Sequence, residues 1–524
     1  MSDGMDFVRE PERRIPVYKR VGVLVCGSGS AGLPAAVCAA RNGADVLLVE
    51  RNSFLGGEST AAYQNWFGGP TDILTGFAKE YAERLDERGA ARLLKRYKTQ
   101  TAATGIQPLT YHISIEPEEW KYLAADMVKE AGARVLTNTW VADAIVENRE
   151  VKGVIIENKS GRQAILADVV IDATGDADIA ARAGAPIDRL PKIGYLIAMI
   201  PGFRVGGINY QKIAEYVKKH PEDFRGLPSD FNFDGENMAT VQGLSGWSSI
   251  VEEGRKRGEF PDDLQGMGLQ IYPAAIKRGI GYFIGAHLSS SIKEGKRFPW
   301  IAEDVMRAEL DGRNRARKFV EFLKKRVPGF ESCFLIDVSP HVGAQDSRRI
   351  IGEYVLTRKD EYEGRTFDDD IALITITWPD IRVSEAEDDG WMMHPVVETM
   401  DSAWREGMRG PRFQVIFGIP YRCLIPKGYD GILVAGQTIS MTYMAHEPGP
   451  CRGMVPCMHW GQAAGTAAAI ASKQRISPRQ VDIATLRKTL ESQGVNLRKD
   501  VIDLSEVNKR LEFADPNAKI SHKA

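Results

Sequence analysis

A short apolar run, Val21–Cys26, ends in Gly27-Ser28-Gly29-Ser30-Ala31-Gly32. No other feature restricts the fold of this chain as strongly. The run is β-branched and reads as a buried parallel strand. Leu33–Arg41 is alanine-rich and helical, and Gly43 ends it. Ala44–Val49 is a second apolar strand, closed by Glu50. Strand, glycine turn, helix, strand and acid in this order make a complete dinucleotide-binding unit. Gly27 makes the tight turn. Gly29 lets a pyrophosphate approach the backbone. Gly32 lets helix and strand pack closely. Ser30 and Ala31 complete the turn, and the helix start offers free N–H groups and a positive dipole end to phosphate. Glu50 lies 23 residues after Gly27, placed to accept hydrogen bonds from a ribose diol.

Arg51 then leads to Gly56-Gly57-Glu58-Ser59-Thr60, a double glycine shortly after the acid. A helix is expected from about Ile73 within Gly68–Leu94, a strand over Tyr111–Ile115 and a helix over Glu118–Ala131. Arg134–Thr137 reads as a core strand. Val141–Glu147, Val151–Glu157 and Gln163–Leu166 are apolar segments with short polar intervals, and they read as a β-meander. Asp168–Asp172 is a further buried strand, ending in Ala173-Thr174-Gly175-Asp176.

From about Ile187 to Gly410 the character changes. Charged helical stretches (Ile213–Lys219, Trp300–Lys325) alternate with strand-like pieces (Gly194–Ile200, Ile371–Thr377). The expected organisation is a nucleotide-binding part over 18–186, a substrate or cap domain over 187–410, a return of the first domain over 411–495, and a peripheral tail over 496–524. In the return, Gly431–Gln437 is strand and glycine. Gly461–Ser472 is a small-residue helix able to approach a sheet or cofactor closely, with Gly436, Gly461 and Ala464 as candidate contacts.

Composition sets the outer limits. The 68 Lys+Arg against 70 Asp+Glu give a net charge of −2, which excludes a broad electrostatic nucleic-acid binder. A hydrophobic share of 43% with 26% charged residues excludes wholesale disorder. No run of about 18 apolar residues exists, so no membrane span is expected. Met1–Arg20 lacks the apolar stretch of a signal peptide, and Arg13-Arg14 does not read as a twin-arginine signal. The six cysteines show no C-x-x-C spacing, so no iron–sulfur or structural zinc site is expected, and no metal of any kind. A reducing cytoplasm fits. A small-molecule substrate is expected, the electron acceptor is unassigned, and a homo-oligomer stays an open alternative.

Gly27–Gly32, Glu50, Gly56-Gly57, Ala173–Asp178, Ser347–Tyr354, Ile419–Arg422, Leu433–Gly436 and Gly461–Gly465 occur in this order. Together they resemble the FAD-dependent oxidoreductase family of glutathione-reductase-type flavoproteins, over about Val21 to Gly494. The resemblance implies an α/β chain: a glutathione-reductase-type Rossmann FAD-binding domain with an inserted α+β substrate or cap domain. It implies FAD, held by Gly27, Gly29, Ser30, Ala31, Gly32, Glu50, Arg51, Gly56, Gly57, Glu58, Ser59, Thr60, Val141, Ala173, Thr174, Gly175, Asp176, Gly436, Gly461 and Ala464. The sequence departs from the family in having Gln345 where an Arg often precedes the Ser-Arg-Arg stretch, and in having no cysteine clusters. Glu58-Ser59-Thr60 offers no histidine for covalent attachment, so non-covalent FAD is expected.

FAD supplies hydride chemistry, and the protein must then position a substrate C–H and manage one proton. His is the commonest base near neutral pH. Of the eight histidines, His220 and His522 read as solvent residues, and His112 and His287 as core residues. His341, His394, His446 and His459 flank or complete the expected flavin site. His446, ten residues past Gly436, is the first choice for the base, His394 the second. Arg452, before the last helix, would stabilise negative charge on reduced flavin. Arg348, Arg349 and Arg422 either hold a substrate oxyanion or bridge domains. Tyr63-Gln64-Asn65-Trp66-Phe67 either lines the flavin cavity or packs the core. The resulting expectation is an FAD-dependent dehydrogenase or oxidase. Its rivals are a C=C reductase of fumarate-reductase type and a non-catalytic flavin-binding component.

Overall fold

The computed structural model describes residues 8–64, 66–70, 74–90, 110–114, 116–188, 199–224, 244–260, 269–273, 278–283, 298–344, 347–378, 413–442, 445, 451 and 453–502. It is a mixed α/β fold built on a parallel-rich sheet. β1 (Val17–Cys26), α1 (Gly32–Arg41) and β2 (Val46–Val49) form the expected unit, with Val23 beside Val46 and Cys26 beside Val49 in parallel register. The chain continues through α2 (Glu58–Ala61), β3 (Trp66–Pro70), α3 (Gly76–Glu87), β4 (Thr110–Ser114) and α4 (Pro117–Glu130). β5 (Arg134–Leu136) then pairs parallel with β2.

β6 (Trp140–Glu147), β7 (Glu150–Asn158) and β8 (Gly161–Asp172) form the antiparallel meander. Gln163–Leu166 and Asp168–Asp172 are one continuous strand rather than two. Asp168 does not interrupt it, because its side chain points outward and accepts from Ser472 Oγ at 2.7 Å. β8 pairs with β7 through its first half and with β1 along most of its length. The layer is two-faced by simple alternation. Val23 and Val25 enter the core shared with the helices, while Leu24 and Cys26 enter the core beneath the meander. α5 (Asp178–Arg182) follows.

The second unit has its own core. β9 (Met199–Ile200), β10 (Phe203–Gly206), α6 (Tyr210–Lys219), β11 (Leu244–Gly246), α7 (Ser248–Lys256), β12 (Leu269–Pro273), β13 (Gly281–Phe283), α8 (Ala302–Arg326), β14 (Phe334–Val338) and β15 (Gly343–Ala344) follow in sequence. Five strands make an antiparallel sheet in the order β11-β12-β13-β10-β14, and β15 pairs with β9. The core between sheet and α8 is aromatic, with Phe203 stacked on Phe283 at 5.1 Å and Phe319 edge-on to both. Of the expected strand Gly194–Ile200, only 199–200 lies within the described residues. The acidic loop Glu385–Gly390 and the tail beyond 502 lie outside them.

The chain leaves the second unit earlier than residue 411. Ile350 already sits in the core under the meander, and Leu356, Ile371 and Ile374 sit in the core shared with α1. α9 (Arg358–Tyr362), β16 (Asp370–Trp378) and β17 (Phe413–Pro420) belong to this return, and β16 and β17 form an antiparallel pair. β18 (Ile432–Val434) adds a parallel neighbour to the second half of β8. α10 (Met454–Gln474) and α11 (Ile483–Ser492) close the fold. α10 begins seven residues before Gly461. Pro456 falls in its first turn, where the missing N–H has no intrahelical partner to lose.

Candidate functional site

The glycine turn is closed on two sides and open on one. Gly27 has φ +96°, and a Cβ there would lie 2.2 Å from the Ala173 carbonyl oxygen. A Cβ on Gly32 would lie 1.7 Å from the Gly27 oxygen. Gly29 differs. Its nearest neighbour to an added Cβ is Gly57 Cα, at an ordinary 3.6 Å. The protein itself therefore does not require glycine at 29. The free space beside that backbone suits an approaching pyrophosphate. Ser30, Ala31 and the first turn of α1 border the same space, and no acidic residue occupies that first turn.

Glu50 is buried and already engaged. One carboxylate oxygen accepts from the Ser28 N–H at 2.9 Å and the Ser28 hydroxyl at 2.6 Å. The other accepts from the Asn52 N–H at 2.8 Å. The acid thus fixes the glycine turn to the end of β2. Arg51 lies over the Trp140 ring at 5.6 Å, at the start of β6, and Val141 follows half-buried in the meander. Asn52 Oδ1 lies 2.9 Å from His341 Nε2, and Glu309 of α8 lies 3.3 Å from the other ring nitrogen. His341 therefore joins the acid loop to the second unit.

The Gly56-Gly57 loop faces the glycine turn. Gly57 has φ +56°, and a Cβ on it would lie 2.5 Å from Gly29 Cα. Glu58 opens α2 and accepts from the Ala344 N–H of β15 at 2.7 Å. Ser59 Oγ donates to Met454 Sδ, the first residue of α10, at 2.9 Å. Thr60 Oγ1 donates to the Leu55 carbonyl at 3.0 Å and holds the loop closed. The start of α10 thus stands against this loop.

The Ala173–Asp176 segment converges on the same place. Asp172 is fully buried and accepts from the N–H groups of Ile179 and Ala180, each at 2.9 Å. Thr174 Oγ1 also donates to it, at 2.7 Å. Burial raises its pKa. Asp176 accepts from Ser347 Oγ at 2.6 Å, and burial pushes its carboxyl up to about 6. Gln437, after the Gly436 turn (φ +105°), donates to the carbonyls of Gly175 at 3.1 Å and Ala344 at 2.9 Å.

Several expectations change in this setting. Gly461 and Ala464 serve the α1–α10 contact: a Cβ on Gly461 would lie 2.0 Å from the Ala31 carbonyl oxygen, and Ala464 is fully buried in the core around that contact. Their small size lets two backbones meet. Arg422 makes a two-pronged contact with Asp369 at 2.9 and 3.0 Å. Arg348 binds Asp178 at 2.6 Å and the Asp176 carbonyl at 2.9 Å, while buried Arg349 reaches Asp188 at 3.4 Å. All three are paired with carboxylates of the protein itself. His459 is buried within α10. His220 is exposed at the end of α6 and lies against Tyr216 at 4.6 Å. His446, His394 and Arg452 lie outside the described residues.

Further contacts complete the arrangement, one through Asn52, which the sequence argument did not single out. Ser28 and Asn52 hold Glu50. Tyr63, with φ +54°, donates to Asp337 at 3.2 Å beneath the Arg204 guanidinium. Burial pushes its hydroxyl up to about 12. A non-glycine residue at positive φ stores strain, and such strain collects at functional sites. No local sequence signal marks it.

A family model described as FAD dependent oxidoreductase matches residues 22–490. The chain belongs to the FAD-dependent oxidoreductase family. The cofactor of this FAD-dependent oxidoreductase is accordingly FAD, and the open side of the Gly29 turn fits it. A thiamine thiazole synthase of Aeropyrum pernix is 35% identical over 177 residues, 32% of this chain and 58% of that one. The chain thus spans less than two thirds of that relative's length. Among solved structures, a geranylgeranyl bacteriochlorophyll reductase-like protein of Thermoplasma acidophilum is 14% identical, with 96% of this chain and 94% of that one covered at a TM-score of 0.43. The p-nitrophenol 4-monooxygenase of Pseudomonas putida DLL-E4 is 11% identical, with 95% of each chain covered at the same TM-score of 0.43. Among the described residues, no helix of this FAD-dependent oxidoreductase is long and apolar enough to cross a membrane.

Proposed function

We propose that the protein oxidises a small organic substrate, as a dehydrogenase or oxidase, with hydride passing from a substrate C–H to flavin N5. When bound, FAD supplies the two-electron acceptor for that step. The observation that carries this reading is the state of the thiols. All six cysteines are buried and unbridged. Burial pushes Cys333 up to about 11, and Cys38 and Cys457 up to about 12. Thiols held protonated are poor nucleophiles, which speaks against a dithiol relay within the chain and for direct exchange between substrate and flavin.

The unit around β10–β14 and α8 is read as the substrate or cap domain, inserted into a glutathione-reductase-type nucleotide domain. Glu58, Ala344 and Gln437 join the two parts where substrate and cofactor would meet. The chain's own work is to bind, orient and handle one proton. His446 is proposed as the group that accepts it, with His394 as the alternative. Arg452 would hold negative charge near the start of α10. Anaerobic mixing of the holoprotein with a panel of alcohols, amines and hydroxy acids tests the direction. Bleaching of the flavin band by a member of the panel supports oxidation of substrate. Oxidation of the chemically reduced protein by enoates, with no bleaching by the panel, would assign it to the C=C reductases instead.

A further inference from the structure

Gln64 is 7% exposed, and its side-chain Nε2 has no hydrogen-bond acceptor among the described residues. Its backbone N–H donates to the Glu58 carbonyl at 3.1 Å, so the chain doubles back after α2. The carboxamide then lies against β15. A Cβ built on Gly343 would stand 3.1 Å from Nε2, and glycine at 343 gives the amide its room. The neighbouring groups of β15 are already used. Ala344 donates to Glu58 at 2.7 Å and accepts from Gln437 at 2.9 Å. Leaving a buried amide donor without an acceptor is costly. An apolar side chain of the same length would avoid that penalty. Glu58 and Gln437 tie β15 to the loop after Gly56-Gly57, the Gly436 turn and the Ala173–Asp176 segment that follows β8. Three of these four also border the expected flavin site.

We propose that Gln64 Nε2 donates a hydrogen bond to the acceptor-bearing edge of the bound isoalloxazine and raises its electron affinity. The ring carries carbonyl oxygens and ring nitrogens that accept, and it gains electron density on reduction. A fixed donor therefore favours the reduced form more than the oxidised one. The Gly29 turn and Glu50, not Gln64, are the expected hold on pyrophosphate and ribose, so FAD should still bind when Gln64 is replaced. The inference rests on the family's cofactor and not on which substrate is oxidised.

The test is the reduction equilibrium of bound FAD against a reference dye, read by absorbance without any substrate, in the parent and in Gln64→Leu. The expected result is FAD held one-to-one, a shifted visible band, and a reduction equilibrium constant about tenfold lower. For a two-electron couple that is about 30 mV more negative. Gln64→Glu, which replaces the donor with an acceptor, should shift the equilibrium at least as far. Gly343→Ala should shift it in the same direction by less, because its Cβ displaces the amide. A Gln64→Leu protein with the parent's equilibrium and visible band overturns the proposal. If Gln64→Leu fails to fold or to hold FAD, Gly343→Ala decides, and parental behaviour there overturns it. Failure of the substrate panel would leave this readout untouched.

Discussion

Ser28 presents both its N–H and its hydroxyl to one oxygen of Glu50, at 2.9 and 2.6 Å. The acid commonly expected to meet a ribose is here also the clamp of the glycine turn. Two buried hydrogen bonds to a carboxylate are worth about 1.5–3 kcal/mol each. Glu50→Ala should therefore lower the stability of the FAD-free protein by about 3–6 kcal/mol as well as weaken FAD. Chemical denaturation of the apoprotein checks this. An unaltered apoprotein with weakened FAD would mean that Glu50 serves the ribose alone.

Gly29 and Gly32 should separate binding from folding. Gly29→Val meets no protein backbone closer than ordinary contact at its Cβ, so the variant should fold and lose FAD. Gly32→Ala puts a methyl 1.7 Å from the Gly27 carbonyl oxygen and should destabilise the whole unit. Circular dichroism melting and flavin content, measured on both, report the two effects independently. Stoichiometric FAD in Gly29→Val would show that the open side of the turn is not the phosphate cradle.

FAD should leave the protein on acid denaturation. The loop after Glu50 reads Glu58-Ser59-Thr60, with no histidine to attach the ring. The supernatant should carry the flavin, and chromatography should identify it as FAD. Flavin remaining with the precipitate refutes the non-covalent expectation.

Glu361 should make stability fall as pH rises. Burial pushes its carboxyl up to about 8, against about 4.3 in an unfolded chain. Between those values the native state holds a proton that the unfolded state has released. Stability is therefore greatest below about pH 4.3 as far as this group is concerned, and is lost as pH climbs towards 8. The slope is about 1.4 kcal/mol per pH unit while it titrates. Cys451 Sγ, at 3.4 Å, donates to the same carboxyl, and Arg358 and Asp360 are the charged groups acting on it. Asp370, pushed up to about 7, acts in the same direction. Glu361→Gln should flatten the decline between pH 5 and 8 in denaturant titrations. An unchanged slope would show that Glu361 does not titrate in that window.

His446→Ala should keep FAD and slow flavin reduction by substrate by roughly 10²–10⁴-fold, the range for loss of a general base. His446→Gln should not restore the rate, because an amide cannot take the proton. Anaerobic stopped-flow across pH is the measurement. Parental rates in both variants would pass the role to His394, tested in the same way.

The nucleotide unit was legible because all of it is local. Val21–Cys26, the glycine turn, the helix and Glu50 are contiguous, and each carries its own period or φ requirement. The meander and the helices α4, α6 and α8 showed themselves through the same periodicities. Tertiary structure decided what distant segments do to one another. Glu58 meets Ala344 across 286 positions, and Ser59 meets Met454 across 395. Neither contact leaves a pattern in the residues between. Arg422 reads equally as an anion clamp or a strut until Asp369 is found beside it. That Gly461 also lets α10 meet the Ala31 carbonyl is visible only in the folded chain. Periodicity reports which face of an element is buried. What it is buried against depends on packing between elements, and that exists only in the folded chain.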